Sequence, residues 1–176
     1  MTSPHADPSE ILRLRAVTLA RKREDVGAQG TPLELLEFTL AHERYAVESR
    51  FIIEVHTLHE LTPLPAVPDF IRGIVNLRGR ILPVLDLKKF FELPEPGLTD
   101  LHRIVVVRGH DLELGLLADT VVGLRQVALE SLQPTLPTLT GIRAEYLKGI
   151  SAARLVVLDL DRVLSDPKII VHDEVD

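Results

Sequence analysis

Within residues 70–91 two apolar runs, 74–77 and 81–85, flank the polar triplet Arg78-Gly79-Arg80. Short apolar runs broken by a glycine that tolerates positive φ predict a β-hairpin with Arg78 at its exposed tip. Pro83 has no N–H to give to a ladder, so the second strand is expected at a sheet edge or a bulge. Asp86 ends that run ahead of Leu87-Lys88-Lys89-Phe90-Phe91. Its carboxylate is placed to accept from the free amides that open a short helical turn.

Before the hairpin, Leu36, Phe38 and Leu40 alternate with polar neighbours, a turn falls at 41–44, and Tyr45 and Val47 resume the alternation. This is a second hairpin. In residues 50–56, Phe51, Ile53 and Val55 alternate against Ile52 and Glu54. With the first three facing inward, Ile52 and Glu54 lie on the outer face of that strand. Residues 61–68 hold three prolines and form a rigid connection, and residues 92–97 mark another break. At the start, apolar residues between Ser9 and Glu24 recur at helical density with Arg13, Arg15, Arg21, Lys22 and Arg23 on the other face. An N-terminal helix is expected there, followed by a linker over 27–32. As a docked appendage it needs only its modest apolar moment, and this reading ranks above a membrane-surface helix.

The second half of the chain repeats the first. Phe70-Ile-Arg-Gly-Ile matches Tyr146-Leu-Lys-Gly-Ile, and Leu82-Pro-Val-Leu-Asp-Leu matches Leu155-Val-Val-Leu-Asp-Leu. The apolar runs 103–107, 112–117 and 120–124 take the places of the three early strands, and Pro134 and Pro137 those of Pro65 and Pro68. An internal duplication follows, giving two small β units of about five strands each. Neither has much core alone, so an apolar interface between them is expected to be essential. The copies differ at one place: Ser151-Ala-Ala-Arg154 makes the second turn three residues shorter and leaves it without an arginine-glycine tip.

Composition narrows the function. Aromatics are 4% of the chain and hydrophobic residues 45%, so the core is expected to be built from Leu, Val and Ile. A net charge of −6 argues against a general nucleic-acid binder, and the absence of cysteine excludes thiolate metal sites. No apolar run reaches the ~20 residues of a membrane span, which together with an N-terminus lacking a signal pattern points to the cytoplasm. Asp86 and Asp159 occupy equivalent places, where capping outranks a catalytic carboxylate pair. Asp119 ends an apolar strand and reads as a turn acceptor before it reads as a general base. His56 and His59 are three apart but lack a third ligand, and His42, His102 and His110 join no nucleophile arrangement. No phosphate-cradling glycine motif occurs. The reading is a non-enzyme without cofactor or metal, with a small-ligand-binding or catalytic β-barrel as the alternative.

Gly-Ile-Val-Asn-Leu-Arg-Gly followed by Ile-Leu-Pro-Val-Leu-Asp-Leu resembles the central motif of CheW-like chemotaxis coupling proteins. The likeness extends over residues 37–55 and 103–164, about four-fifths of the chain in all. It implies two five-stranded, SH3-like β barrels around a common apolar core. On this basis residues 1–32 are an N-terminal helix and linker and residues 33–170 the CheW-like domain. The first barrel falls mainly in 33–95 and the second mainly in 101–165, with room for strand exchange. The resemblance further implies a non-catalytic adaptor that links the cytoplasmic tips of chemoreceptors to the regulatory domain of a CheA-type histidine kinase, at receptor arrays on the inner face of the membrane. Ile52, Glu54, Asn76, Leu77, Arg78 and Gly79 match the family's partner-contact positions. Ala118-Asp119 departs slightly from the family's Val-Asp. The basic N-terminal segment departs more, leaving room for a pathway other than flagellar chemotaxis.

Overall fold

The computed structural model describes residues 30–93, 102–134 and 142–169. The helix expected between Ser9 and Glu24 lies outside them, as do Pro137 and most of the break over 92–97. The strands are β1 (Pro32–Leu40), β2 (Glu43–Glu48), β3 (Ile52–Thr57), β4 (Ile71–Leu77) and β5 (Arg80–Asp86), then β6 (Arg103–Gly109), β7 (Leu112–Ala118), β8 (Thr120–Ala128), β9 (Leu147–Ile150) and β10 (Val156–Leu158). Short helices α1 (Leu87–Phe90) and α2 (Leu160–Leu164) follow β5 and β10.

Three strand pairs are closed by two-residue turns, Ala41-His42, Arg78-Gly79 and His110-Asp111. Both central residues of each have positive φ, 49° and 71°, 54° and 83°, 50° and 61°. Such primed turns match the right-handed twist of the flanking strands. Only one of these six residues is a glycine, so the sheets impose a conformation that five of the six side chains disfavour. The two aspartates expected to cap do so. Asp86 Oδ1 accepts from the amides of Lys88 at 2.9 Å and Lys89 at 3.4 Å, and Asp159 accepts from Arg162 N at 3.3 Å.

The strands form two five-stranded sheets, in the orders β8-β1-β2-β10-β9 and β3-β6-β7-β5-β4. The first hairpin of each half thus joins the last three strands of the other half. Four pairs make the junctions between halves, two parallel, β10 on β2 and β5 on β7, and two antiparallel, β1 on β8 and β3 on β6. Each sheet curls into an SH3-like barrel with its own small core: Leu35, Ala46, Leu155 and Val157 in one, Val75, Leu82, Val84, Ile104, Val106 and Leu117 in the other. Between them lies the shared core, with Phe38, Leu40, Tyr45 and Val47 meeting Leu85, Val105, Val107 and Leu116, and α1 and α2 adding Leu87, Phe90, Leu160 and Val163. The aliphatic reading of the core is incomplete here. Of five phenylalanines and two tyrosines, Phe38, Tyr45, Phe70, Phe90, Phe91 and Tyr146 form one chain of ring contacts at this interface.

Pro83 requires a correction. β5 is an interior strand, flanked by β4 and β7, and the sheet edges are β3 and β4. The proline is tolerated because β5 pairs with β7 only from Val84 onward, so its missing N–H falls just outside that ladder.

Candidate functional site

The β4–β5 hairpin ends in an ordered tip. Asn76 Oδ1 accepts the Gly79 N–H at 2.9 Å, closing the turn from within. A Cβ at Gly79 would meet nothing within 4 Å, so the glycine answers to its φ of 83° and not to space. Leu77 folds back, half-buried, against the small barrel core. The Arg78 side chain is 75% exposed, with Nη1 3.6 Å from Glu54 Oε2.

Glu54 stands on β3 opposite Val106, which pairs with Gly115, which pairs with Val84. Residues paired in this way share a face, so Glu54 points to the inside of the barrel, at its mouth. There it meets Arg80 Nη2 at 2.8 Å and His56 Nε2 at 3.1 Å. Arg80 also binds Glu113, which takes Arg108 Nη2 at 2.7 Å. Burial pushes the Glu54 carboxyl up, but His56, Arg78 and Arg80 outweigh it and hold the group below its ordinary range. Arg78 is the loosest cation at Glu54, able to leave while Arg80 stays.

Five of the six residues matched to partner contact, Glu54, Asn76, Leu77, Arg78 and Gly79, come together here. Ile52 does not. Its side chain packs against the shared core, whereas Ile53 and Val55, expected inside, are 39% and 40% exposed. The alternation is broken by a 3-10 turn at Ser49–Phe51 and by a bulge, since Ile52 faces Val107 and Glu54 faces Val106, leaving Ile53 unpaired. The sequence reading also passed over Arg80, Glu113 and Ile81. Ile81 follows the turn and is 64% exposed, the most exposed large apolar side chain described. The signal for Arg80 was its place beside the turn glycine. For Glu113 there was none, because its contact depends on the sheet order.

Asp119 lies at the joint between β7 and β8, accepting from Lys88 Nζ at 2.8 Å and from the Ala41 amide at 2.9 Å, with His102 Nε2 at 3.3 Å. Burial raises its carboxyl and these partners lower it further than burial raises it, so the net shift is downward, away from a base poised near neutral pH. Among the described residues no three His, Asp or Glu side chains gather as a metal site.

The CheW-like domain model matches residues 34–168, spanning both barrels and the hairpin. The chain belongs to the CheW-like family. The chemotaxis protein CheW of Treponema pallidum is 29% identical over 159 residues, covering 86% of this chain and 94% of that protein. Protein FrzA of Myxococcus xanthus is 37% identical over 130 residues, covering 73% and 80%. Among solved structures, the scaffolding protein TtCheW of Thermoanaerobacter tengcongensis superposes with a TM-score of 0.66 at 32% identity, covering 73% of this chain and 89% of that one. An exposed arginine on a turn is suited to contact with another protein.

Proposed function

We propose that the chain is a non-catalytic adaptor that couples the cytoplasmic tips of chemoreceptors to the regulatory domain of a CheA-type histidine kinase. Its place is the cytoplasm, at receptor arrays on the inner face of the membrane, in chemotaxis or a related chemosensory pathway. The observation that carries this reading is the hairpin tip: Arg78 is held out by a primed turn, three-quarters exposed, and the exposed apolar Ile81 lies on the strand that leaves the same turn. An exposed guanidinium and an exposed apolar side chain on one hairpin have the makings of a protein contact. Names of relatives such as chemotaxis protein CheW and scaffolding protein TtCheW support the same direction. Among the described residues no helix is long and apolar enough to cross a membrane.

The test is Arg78→Glu. Among the described residues its only charged contact is the 3.6 Å approach to Glu54, which keeps Arg80 and His56, so the unfolding midpoint should stay within about 0.5 kcal/mol of the parent. Affinity for a receptor-tip fragment or for the kinase regulatory domain should fall at least about tenfold, ~1.4 kcal/mol. Unchanged affinity for both partners would remove the tip from the contact surface.

A further inference from the structure

The duplication produces two barrel mouths whose charges can be compared. At the mouth under the β4–β5 hairpin, Glu54 and Glu113 stand on the walls, and the hairpin carries Arg78 and Arg80 to them. In the other barrel the signs are reversed. Arg44 is the second residue of β2 as Glu113 is of β7, and it meets Arg125 of β8 across the single carboxylate of Glu37. Glu37 is 2% exposed and spends Oε1 on Arg44 Nε at 2.6 Å. Arg125 Nε lies 3.4 Å from Oε2, and both of these buried atoms are without a hydrogen bond among the described residues, so the guanidinium is only loosely held by Glu37. Two guanidiniums around one carboxylate leave a positive charge on a protein whose net charge is −6.

Here the β9–β10 hairpin is three residues shorter than the arginine hairpin, counted from Gly149 to Leu155 against Gly73 to Leu82, and among the described residues it brings no acid across the mouth. A cleft of about 240 Å³ remains between β8 and that turn, lined by Arg125, Val127, Ala128, Ser131, Ser151 and Ala152 among others. Its walls are mainly small and apolar. Ser151 Oγ accepts the Leu155 N–H at 3.2 Å, which leaves its own proton to give. The arrangement is the counterpart of the closed mouth with the inserted charge reversed.

We propose that this cleft is a docking site for a glutamate or aspartate side chain presented on an extended segment of a partner protein, with Arg125 receiving the carboxylate and Val127, Ala128 and Ala152 the apolar stem. The site is on the other barrel from the arginine tip, and its existence does not depend on the coupling reading. The measurement is a titration of the isotope-labelled full chain, followed by NMR, with a short blocked peptide carrying one glutamate between alanines. Its glutamine twin and acetate serve as the other arms. Expected are saturable shifts of the Arg125 Nε–H and of the Ala128, Ser131 and Ala152 amides, with affinity at least about tenfold lower for the glutamine twin. Arg125→Gln removes the shifts, and so does Ala152→Leu, which fills the cleft without touching Glu37. The proposal falls if no saturable shift appears, if the glutamine twin binds equally, if acetate binds as tightly as the peptide, or if shifts are confined to Arg78 and Arg80. It falls too if Ala152→Leu folds and binds as the parent does, a criterion that stands even if Arg125→Gln fails to fold.

Discussion

Asp119 holds three segments with one carboxylate: the β1–β2 turn through the Ala41 amide, α1 through Lys88, and the strand leading into β6 through His102. Lys88 is 5% exposed, so deleting its partner strands a buried charge. Asp119→Ala should therefore lower stability by ~3 kcal/mol in urea unfolding. Lys88→Met should cost less, because Asp119 keeps the amide and His102. The pH dependence has a definite sign. Asp119 is depressed in the folded state below its ordinary 3.8, so its contribution is complete above that value and is lost as pH falls through the folded pKa. The stability gap between the parent and Asp119→Asn should shrink below about pH 4 and be constant from pH 6 to 8. Local roles were legible at this scale: Asp86 and Asp159 are caps because the amides they accept are two or three residues away. Asp119 was recognisable as a strand-end acceptor. Its pairing with Lys88 was not, because that contact joins residues 31 apart through tertiary packing.

At the scale of elements, the repeated glycines explain the repeated sequence. Gly73 in β4 has φ of 145°, and a Cβ there would stand 2.2 Å from the Thr62 carbonyl oxygen. Gly149 in β9 is approached in the same way, by Leu132 Cβ at 2.8 Å and the Gln133 oxygen at 3.0 Å. In both copies the connecting segment bridges to the next isoleucine, Thr62 with Ile74 and Gln133 with Ile150. The glycine is what lets that segment approach. Gly73→Ala should therefore cost more than ~2 kcal/mol, since backbone atoms must move, while Gly79→Ala should cost ~1 kcal/mol for its φ alone. Comparing the two unfolding midpoints checks this, and equal losses would contradict it. The hairpins were legible because a two-residue turn fixes register locally. The bulge at Ile53 was not, since it inserts a residue without changing composition, and strict alternation then assigns Ile52, Ile53, Glu54 and Val55 to the wrong faces. The place of β5 inside its sheet was hidden because Pro83 reports on one ladder only.

For the whole molecule, the duplication could be read from sequence and left room for strand exchange, but which hairpins the halves exchange could not be read, because strand neighbours far apart in the chain leave no local mark. That exchange carries the strongest expectation about folding. Each sheet takes three strands from one half and two from the other, and both face one shared core. Urea unfolding followed by one probe in residues 33–93 and another in residues 102–169 should give coincident transitions. Two separated transitions would mean that the barrels are energetically independent. The joint between β7 and β8 has a mechanical side as well. Only Asp119 separates these strands, one in each sheet, and its carboxylate is clamped on both sides of the joint. A load applied to one barrel passes to the other along nearly continuous strand, with little slack to absorb it. A connector built in this way keeps whatever it holds at a fixed spacing and orientation, acting as a strut whose ends can be gripped without its length changing.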